Sequence, residues 1–165
     1  MKHSFAFIFI LLILAGIVAS CQKDTVTPYD PTAQAATDDA LIKEFMAKDT
    51  TIKNPVRTNS GLYYIKRIAG NGKQVKAGDK VQAHYIGKFL NGQTFESSYA
   101  SNSPITFTVG QNQVIKGWDE GLQLMQEGET ARFYIPSGLA YGPQGNRTIP
   151  GNASLIFDIT VIKVN

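Results

Sequence analysis

Side chains that act as nucleophiles or metal ligands are scarce in this sequence. Its 165 residues include one cysteine and two histidines, His3 and His84. A disulfide framework is therefore excluded, and a zinc site built from several Cys and His ligands is nearly so. No G-x-S-x-G elbow accompanies His84, so a Ser-His-Asp hydrolase is not expected. We expect no metal and no cofactor, and we interpret His84 as a strand residue with a satisfied hydrogen bond.

The charged side chains form no concentrated patch. Sixteen Lys and Arg against thirteen Asp and Glu give a net charge of +3, far short of the clustered basic excess of a nucleic-acid-binding protein. We therefore expect no nucleic-acid partner. Four acids near a predicted helix and turn lack a paired context, and we expect them to be exposed to solvent: Asp119, Glu120, Glu127 and Glu129.

Aromatic side chains are the remaining candidates for a functional site. The chain has nine Phe, seven Tyr and one Trp. Any single one of them, taken alone, is best interpreted as part of a sheet core. Together they fall into short motifs: AHYIG around Tyr85, QTFESS around Phe95 and Glu96, ITFTVG around Phe107, QVIKGWDEGL with Val114, Ile115 and Trp118, GLAYG around Tyr141, RTIPGNASL around Ile149, and IFDI around Phe157.

This series of motifs resembles the FKBP-type peptidyl-prolyl cis/trans isomerases, over residues 61 to 164 or so. The resemblance implies an active pocket with Trp118 as its floor, and proline-containing polypeptides as substrates. Tyr141 would donate its hydroxyl to a bound carbonyl, and the amide N–H of Ile115 would donate to another. Macrolide inhibitors are an implied ligand class. The implied catalytic residues are Tyr85, Glu96, Trp118 and Tyr141, and the implied substrate-binding residues are Phe95, Phe107, Val114, Ile115, Ile149 and Phe157.

The sequence departs from the family pattern at a few positions. Glu96 stands where the family usually has Asp, and Ser101 replaces an Arg that commonly partners that acid. We expect turnover to survive with an altered substrate preference. A membrane-tethered peptide-binding or chaperone module with weak or no isomerase activity stays open as the alternative. A glycan-binding aromatic face is less favoured, because the chain lacks repeated Trp and an acidic cluster of the kind that binds Ca²⁺.

The elements that must position these residues are mainly strands. Period-two patterns bounded by turn residues predict strands at Leu62 to Ile68, Lys80 to Leu90, Gln93 to Ser97, Ile105 to Val109, Thr130 to Ile135 and Ser154 to Val164. Asn91-Gly92 is a strong hairpin signal. Helical spacing interrupts the strands only at Val114 to Met125. The pattern predicts an α+β domain over residues 61–165, and the resemblance implies a twisted antiparallel sheet of five to six strands wrapped around that helix.

The segment before this domain contains a second helical pattern. Leu41, Ile42 and Phe45 share one face, and Thr37 is a suitable N-cap, so we predict a short helix from Asp38 to Lys48 within a connector at 38–60. Residues 21–37 contain Pro28, Pro31 and many small side chains, which is typical of a flexible tether.

The first twenty residues have the pattern of an export signal. Phe5 to Ala19 is an uncharged apolar run of fifteen residues, and as a helix it would span about 22 Å, less than the hydrocarbon core of a bilayer. Val18-Ala19-Ser20-Cys21 resembles the lipobox of bacterial lipoproteins, which implies a lipidated Cys21 in the cell envelope. We expect a lipid-anchored monomer at the outer membrane, on either its periplasmic or its surface face. An ordinary signal peptide followed by an idle thiol is the alternative.

Overall fold

The computed structural model of the protein describes residues 28–165. The predicted signal segment and the lipidation site at Cys21 lie outside these residues. The described elements are two α-helices and seven strands: α1 (Pro31–Ala47), β1 (Val56–Arg57), β2 (Tyr63–Ile68), β3 (Lys80–Phe89), β4 (Thr94–Ser97), β5 (Ile105–Thr108), α2 (Lys116–Gly121), β6 (Thr130–Ile135) and β7 (Leu155–Val164). No helix within residues 28–165 combines the length and the apolar composition needed to cross a bilayer.

The strands form one antiparallel sheet. Its order is β1-β2-β6-β7-β3-β4, and β5 pairs with the first half of β3. The six predicted strands are confirmed with each end displaced by one residue at most. The seventh strand, the two-residue β1, was not predicted, because two residues are too few to show a period-two pattern.

Side-chain alternation gives the sheet two apolar faces. On β6, Phe133 and Ile135 point into the larger core with α2, whereas Tyr134 points to the opposite face. The smaller core on that opposite face joins Tyr134 to Ile42 and Met46 of α1. The sheet is therefore covered by one helix on each face, and α2 covers the face that carries most of the predicted site.

The helix α2 is shorter than its sequence pattern. It ends at Gly121 and is followed by a 3-10 turn at Leu122–Leu124. The backbone at Ile115 is extended (ψ 150°), so the helix begins at Lys116, two residues after the start of the predicted pattern at Val114. A Cβ atom at Gly117 would lie 2.5 Å from the Ile135 side chain, and one at Gly121 would lie 2.6 Å from the Phe133 ring. These two glycines therefore let α2 lie directly against the sheet.

The helix α1 begins earlier than predicted. It starts at Pro31 rather than Asp38, so the last seven residues assigned to the tether are helical. The Asp30 carboxylate caps it by accepting from the N–H groups of Thr32 (2.8 Å) and Ala33 (3.3 Å), and proline is well tolerated in the first turn of a helix. The tether interpretation was wrong here because proline was taken as a mark of a flexible segment rather than of a helix start.

The buried face of α1 also differs from the prediction. Asp38, Ile42 and Met46 are buried at i, i+4, i+8 spacing, whereas Leu41 is 46% exposed. The face rotates because Asp38 bonds to Ser137, a residue 99 positions away. Local periodicity contains no sign of such a bond.

The predicted exposure of the four acids was wrong for Glu129. This side chain is fully buried, accepts a hydrogen bond from the Tyr64 hydroxyl and lies 3.3 Å from the Lys66 Nζ atom. The other three are half-buried and bonded to the chain. Asp119, for example, accepts from the N–H groups of Gly110 (2.8 Å) and Asn112 (3.0 Å) and so holds the loop before α2.

Candidate active site

The indole of Trp118 forms the centre of an aromatic cluster. Its side chain is 3% exposed, and its ring centroid lies 5.1 Å from that of Tyr85 and 5.3 Å from that of Phe157. Both contacts are edge-on, at 84° and 89°, which is a favoured geometry for aromatic pairs. Tyr85 of β3 and Phe157 of β7 both pack against Trp118 of α2, and the three rings together form the floor of the site.

A cavity of about 200 Å³ opens above this floor, and we call it the aromatic cavity. Seven of the ten predicted site residues line it, together with two that were not predicted. Its lining consists of Tyr85, Glu96, Ile105, Gln113, Val114, Ile115, Trp118, Tyr141 and Phe157. Residues from four separate strands, α2 and two loops therefore meet in one place.

Three predicted wall residues lie behind the wall rather than in it. Phe95 packs against Phe157, with ring centroids 5.7 Å apart, and Phe107 packs against Trp118 at 5.8 Å. Ile149 is 3% exposed and belongs to the same core. The family resemblance implied that these residues line the pocket, but their side chains support the residues that form its surface.

The two additional lining residues could have been found from their positions. Ile105 opens the motif that contains Phe107, and Gln113 directly precedes Val114. The Gln113 side-chain oxygen accepts from the N–H of Thr108 (2.9 Å), which closes the loop between β5 and α2. Each of these residues is the first member of its motif, Ile105 in ITFTVG and Gln113 in QVIKGWDEGL.

A glycine allows the aromatic wall to lie close to the sheet. Gly87 pairs with Phe157 of β7 and with Glu96 of β4. A Cβ atom there would lie 2.6 Å from the Phe95 ring and 3.0 Å from the Phe157 ring. Both contacts are shorter than van der Waals distance, so any larger residue would displace the wall.

Hydrogen-bond donors at the cavity are left free. The Ile115 carbonyl accepts from the N–H groups of Trp118 (2.9 Å) and Asp119 (3.2 Å), while the Ile115 N–H has no partner within residues 28–165. The buried Trp118 Nε1 atom likewise has none among the described residues. Ile115 lines the aromatic cavity, so its N–H is available to a carbonyl group of a ligand, whereas the Trp118 Nε1 atom is shielded from solvent.

The two tyrosines at the cavity keep their protons. Burial raises the pKa of the Tyr85 hydroxyl, and the neighbouring Glu96 carboxylate raises it further. Burial and then Glu96 also raise the pKa of Tyr141. Near neutral pH both hydroxyls therefore remain donors rather than phenolates.

The Glu96 carboxylate has no cation beside it. Within residues 28–165 it takes part in no salt bridge, and the Ser101 hydroxyl donates to the carbonyl of Ser98 (3.4 Å) instead of reaching Glu96. Glu96 is therefore the single charged side chain lining the aromatic cavity.

The described structure confirms the interpretation of His84. Its Nδ1 atom lies 2.9 Å from the Ser98 hydroxyl, and its ring stacks on Tyr99 at 4.4 Å. The imidazole does not line the aromatic cavity.

Fold and cavity together define a small α+β domain with an aromatic pocket lined mostly by apolar side chains. Comparison with known proteins narrows this class. Residues 71–162 match the family model described as FKBP-type peptidyl-prolyl cis-trans isomerase. The chain therefore belongs to the FKBP-type peptidyl-prolyl cis-trans isomerase family.

Individual relatives agree with this membership. The chain is 44% identical over 123 residues to a probable FKBP-type peptidyl-prolyl cis-trans isomerase of Haemophilus influenzae, covering 74% of this chain and 50% of that protein. It is 50% identical over 111 residues to FK506-binding protein 1 of Candida glabrata, covering 66% of this chain and 97% of that one. The chain spans about half the length of the bacterial relatives that it matches.

Solved structures show the same fold. FkpA from Escherichia coli superposes with a TM-score of 0.69 at 34% identity, over 81% of this chain and 62% of that one. AtFKBP13 superposes with a TM-score of 0.64 at 35% identity, over 68% of this chain and all of that one. The α+β fold predicted from the sequence is thereby confirmed.

Proposed function

We propose that this protein is a peptidyl-prolyl cis-trans isomerase that acts on exported polypeptides. The observation that carries the proposal is the aromatic cavity itself, with Trp118 as its floor between Tyr85 and Phe157 and with an Ile115 N–H that has no partner within residues 28–165. Family membership supports the same activity.

The cavity suits the chemistry of amide rotation. Rotation about an X-Pro bond must cross a barrier of about 18 to 20 kcal/mol, because the planar amide is held by resonance. The twisted transition state has lost this resonance, and its carbonyl is less polar and depends less on water. An apolar cavity therefore favours the twisted amide over the planar one. Neither a nucleophile nor a titrating group is required.

The free donors add orientation to this preference. The Tyr141 hydroxyl makes no hydrogen bond within residues 28–165 and stays protonated, and the Ile115 N–H is unpaired. These two donors would hold the carbonyls that flank the proline while the amide twists. Each 1.36 kcal/mol of such differential binding raises the rate about tenfold.

An isomerase assay on a proline-containing tetrapeptide tests this proposal. We expect wild-type protein to accelerate cis-to-trans conversion, and Tyr141→Phe to reduce kcat/KM by about tenfold through loss of one donor. Tyr99→Phe is the matched control, because the Tyr99 ring is 49% exposed and does not line the aromatic cavity. No rate above background at micromolar protein would overturn the proposal.

A second function is favoured by one observation, the unpaired Glu96 carboxylate in the cavity. In this alternative the protein binds extended peptides as a chaperone module with weak or no isomerase activity. Suppression of aggregation that persists in Trp118→Leu and Tyr141→Phe, with no isomerase rate in wild type, would support the alternative.

We further propose that macrolides compete for this cavity. The name of the Candida glabrata relative records FK506 binding for that protein, and the cavity here has the apolar walls that such a ligand needs. Inhibition of the wild-type tetrapeptide assay by FK506 is the expected result, and direct titration should show weaker FK506 binding to Trp118→Leu. Isomerase activity that FK506 leaves unchanged would contradict it.

We propose a location in the bacterial cell envelope, through lipid on Cys21, as a monomer at the outer membrane. The apolar run Phe5 to Ala19 and the motif Val18-Ala19-Ser20-Cys21 support this. Labelling of cells with an alkyne fatty acid is expected to mark the wild type and to spare Cys21→Ser. Recovery of unlabelled wild-type protein in the soluble fraction would contradict lipidation, and a dimer in sedimentation would contradict the monomer.

A further inference from the structure

The N-terminal helix α1 lies outside the residues matched by the family model, which begins at residue 71. Its buried carboxylate nevertheless bonds to the loop that carries Tyr141. We propose that Asp38 is a positioning residue for the candidate active site, because it fixes the start of this loop and so places the Tyr141 hydroxyl. The inference rests on the proposed function.

The contact between α1 and the loop is fully buried. Asp38 has no exposed surface, and neither has Ser137. The Asp38 Oδ2 atom accepts from the N–H of Ser137 (2.8 Å) and from its hydroxyl (2.6 Å). The Oδ1 atom accepts from the side-chain amide of Gln34 (2.8 Å), one turn earlier on α1. Hydrogen bonds to a charged group are the stronger ones in proteins, so this carboxylate is a firm anchor.

Ser137 is the first residue of the turn that leads to Tyr141. The turn is closed by two bonds, from the N–H of Leu139 to the Pro136 carbonyl (2.9 Å) and from the N–H of Ala140 to the Ser137 carbonyl (3.0 Å). Tyr141 follows directly. A shift at Ser137 is therefore transmitted through a single turn to the cavity wall.

The far part of the loop is held by its own bonds. The Asn146 side chain accepts from the N–H groups of Thr148 (2.9 Å) and Ile149 (2.8 Å), and the N–H of Asn152 donates to the Gly142 carbonyl (2.8 Å). Beyond Tyr141 the loop is therefore held by hydrogen bonds within itself, whereas at Ser137 it is hydrogen-bonded to Asp38 of α1.

The next residue on α1 offers a matched control. Asp39 is paired with Lys43 (2.7 Å) and Arg57 (2.8 Å) and accepts from the Tyr63 hydroxyl (2.8 Å). These bonds join α1 to β1 and β2 and do not reach the loop. Asp38→Ala and Asp39→Ala therefore each remove one carboxylate from α1, but only the first releases Ser137.

Kinetics of the full chain test the positioning role. We expect Asp38→Ala to lower kcat/KM by about 10- to 100-fold through misplacement of Tyr141, and Asp38→Asn to recover part of this loss because its amide oxygen can still accept from Ser137. Asp39→Ala is expected to change kcat/KM by less than about twofold, as for a surface ion pair. Since Asp38 acts through Tyr141, Asp38→Ala should have little further effect in a Tyr141→Phe background.

Additive losses in that double variant, or an equal loss in Asp39→Ala, would overturn the inference. If Asp38→Ala does not fold, Asp38→Asn and Ser137→Ala are compared in its place, each alone and with Tyr141→Phe.

A second measurement does not depend on activity. Hydrogen exchange at the Leu139 and Ala140 amides should speed up at least about tenfold in Asp38→Ala and stay unchanged in Asp39→Ala. Unchanged exchange in both variants would overturn the positioning role. If the wild type shows no isomerase activity, the proposed function fails. The role of Asp38 is then decided by these exchange rates and by whether Asp38→Ala weakens the binding of a proline-containing peptide.

Discussion

Two cavities of similar volume are lined by the same short segment, residues 136 to 141. The aromatic cavity of about 200 Å³ is lined by Tyr141 on this segment. The other, which we call the helix cavity, has a volume of about 230 Å³ and lies between α1 and the start of the segment. Its lining consists of Tyr29, Pro31, Gln34, Ala35, Asp38, Ser60, Pro136, Gly138 and Leu139.

The two cavities differ in how their polar groups are used. Both carboxylate oxygens of Asp38 in the helix cavity are bonded to protein donors. In the aromatic cavity the Ile115 N–H has no partner among the described residues, and Glu96 has no ion pair there. Saturated polar groups hold a structure together, whereas free ones are available to a ligand. The two cavities therefore differ in whether their polar groups are bonded to the protein, and not in their volume.

The largest expected effect follows from removing the floor of the aromatic cavity. Trp118→Ala deletes a buried ring that contacts three other aromatic rings, and we expect the free energy of unfolding to fall by about 3 to 5 kcal/mol. Urea denaturation measures this. Leu124→Ala, in the 3-10 turn just after α2 and 39% exposed, is expected to cost far less. Equal losses in both variants would show that Trp118 is not a packed floor.

A pair of glycines distinguishes the walls of the two cavities. Gly87→Ala forces a methyl group against the Phe95 and Phe157 rings, and we expect a loss of about 1 to 3 kcal/mol in the free energy of unfolding. Gly138 lines the helix cavity, and a Cβ atom added at this residue would have no other atom within 4 Å. Gly138→Ala is therefore expected to change stability by less than about 1 kcal/mol. Thermal unfolding of the two variants checks the contrast, and a larger loss in Gly138→Ala would reverse it.

The unpaired charge in the aromatic cavity predicts a substrate preference. Because Glu96 is the one charged side chain in the lining, tetrapeptides with Lys before proline should be turned over about two- to fivefold faster than those with Glu, as for a partly exposed charge pair. Glu96→Gln should remove the difference. Equal kcat/KM for the two peptides with wild-type protein would mean that Glu96 does not face the substrate.

The smallest expected effect concerns the outer side of α1. Hydrogen bonding to Lys43, and then to Tyr63 and Arg57, lowers the pKa of Asp39 from 3.8 to about 2. A lowered pKa means that the charged form stabilises the folded protein, so this contribution is complete above about pH 4 and is lost as the pH falls towards 2. The Asp39 side chain is only 20% exposed, but its partners Lys43 and Arg57 are 61% and 45% exposed. Because solvent screens these partners, we expect less than about 1 kcal/mol.

Urea unfolding of wild type and Asp39→Asn at pH 7, 4, 3 and 2 checks this pH dependence. The difference between the two proteins should narrow as the pH falls. A difference that is constant from pH 7 to pH 2 would contradict the role given to the Asp39 charge.

Much of the fold and site was predictable because the signals are local. A strand of five to ten residues shows its β-rich composition and the turn residues that bound it within a short stretch of sequence, and six strands followed from these signals. The motifs around Tyr85, Trp118 and Tyr141 indicated the family, because each joins a characteristic aromatic residue to glycines at a fixed spacing within a few positions. Seven of the ten predicted site residues line the cavity for the same reason.

The positions that were predicted incorrectly depend on distant partners. Glu129 was expected in solvent, yet Tyr64 and Lys66 of a neighbouring strand compensate its burial. Phe95 and Phe107 were expected in the wall, yet Phe157 and Trp118 lie in front of them. The start of α1 was misplaced because a proline suits both a tether and the first turn of a helix.

The sequence by itself determined the strands, the family and the aromatic character of the site, since these depend on residue types within a few positions of one another. Only the tertiary structure decided which of these residues reach the cavity surface and which donors stay free. It also decided that a carboxylate on α1 bonds to a serine 99 positions away. Burial and hydrogen-bond pairing are properties of neighbours in space, and neighbours in space are set only when the whole chain has packed.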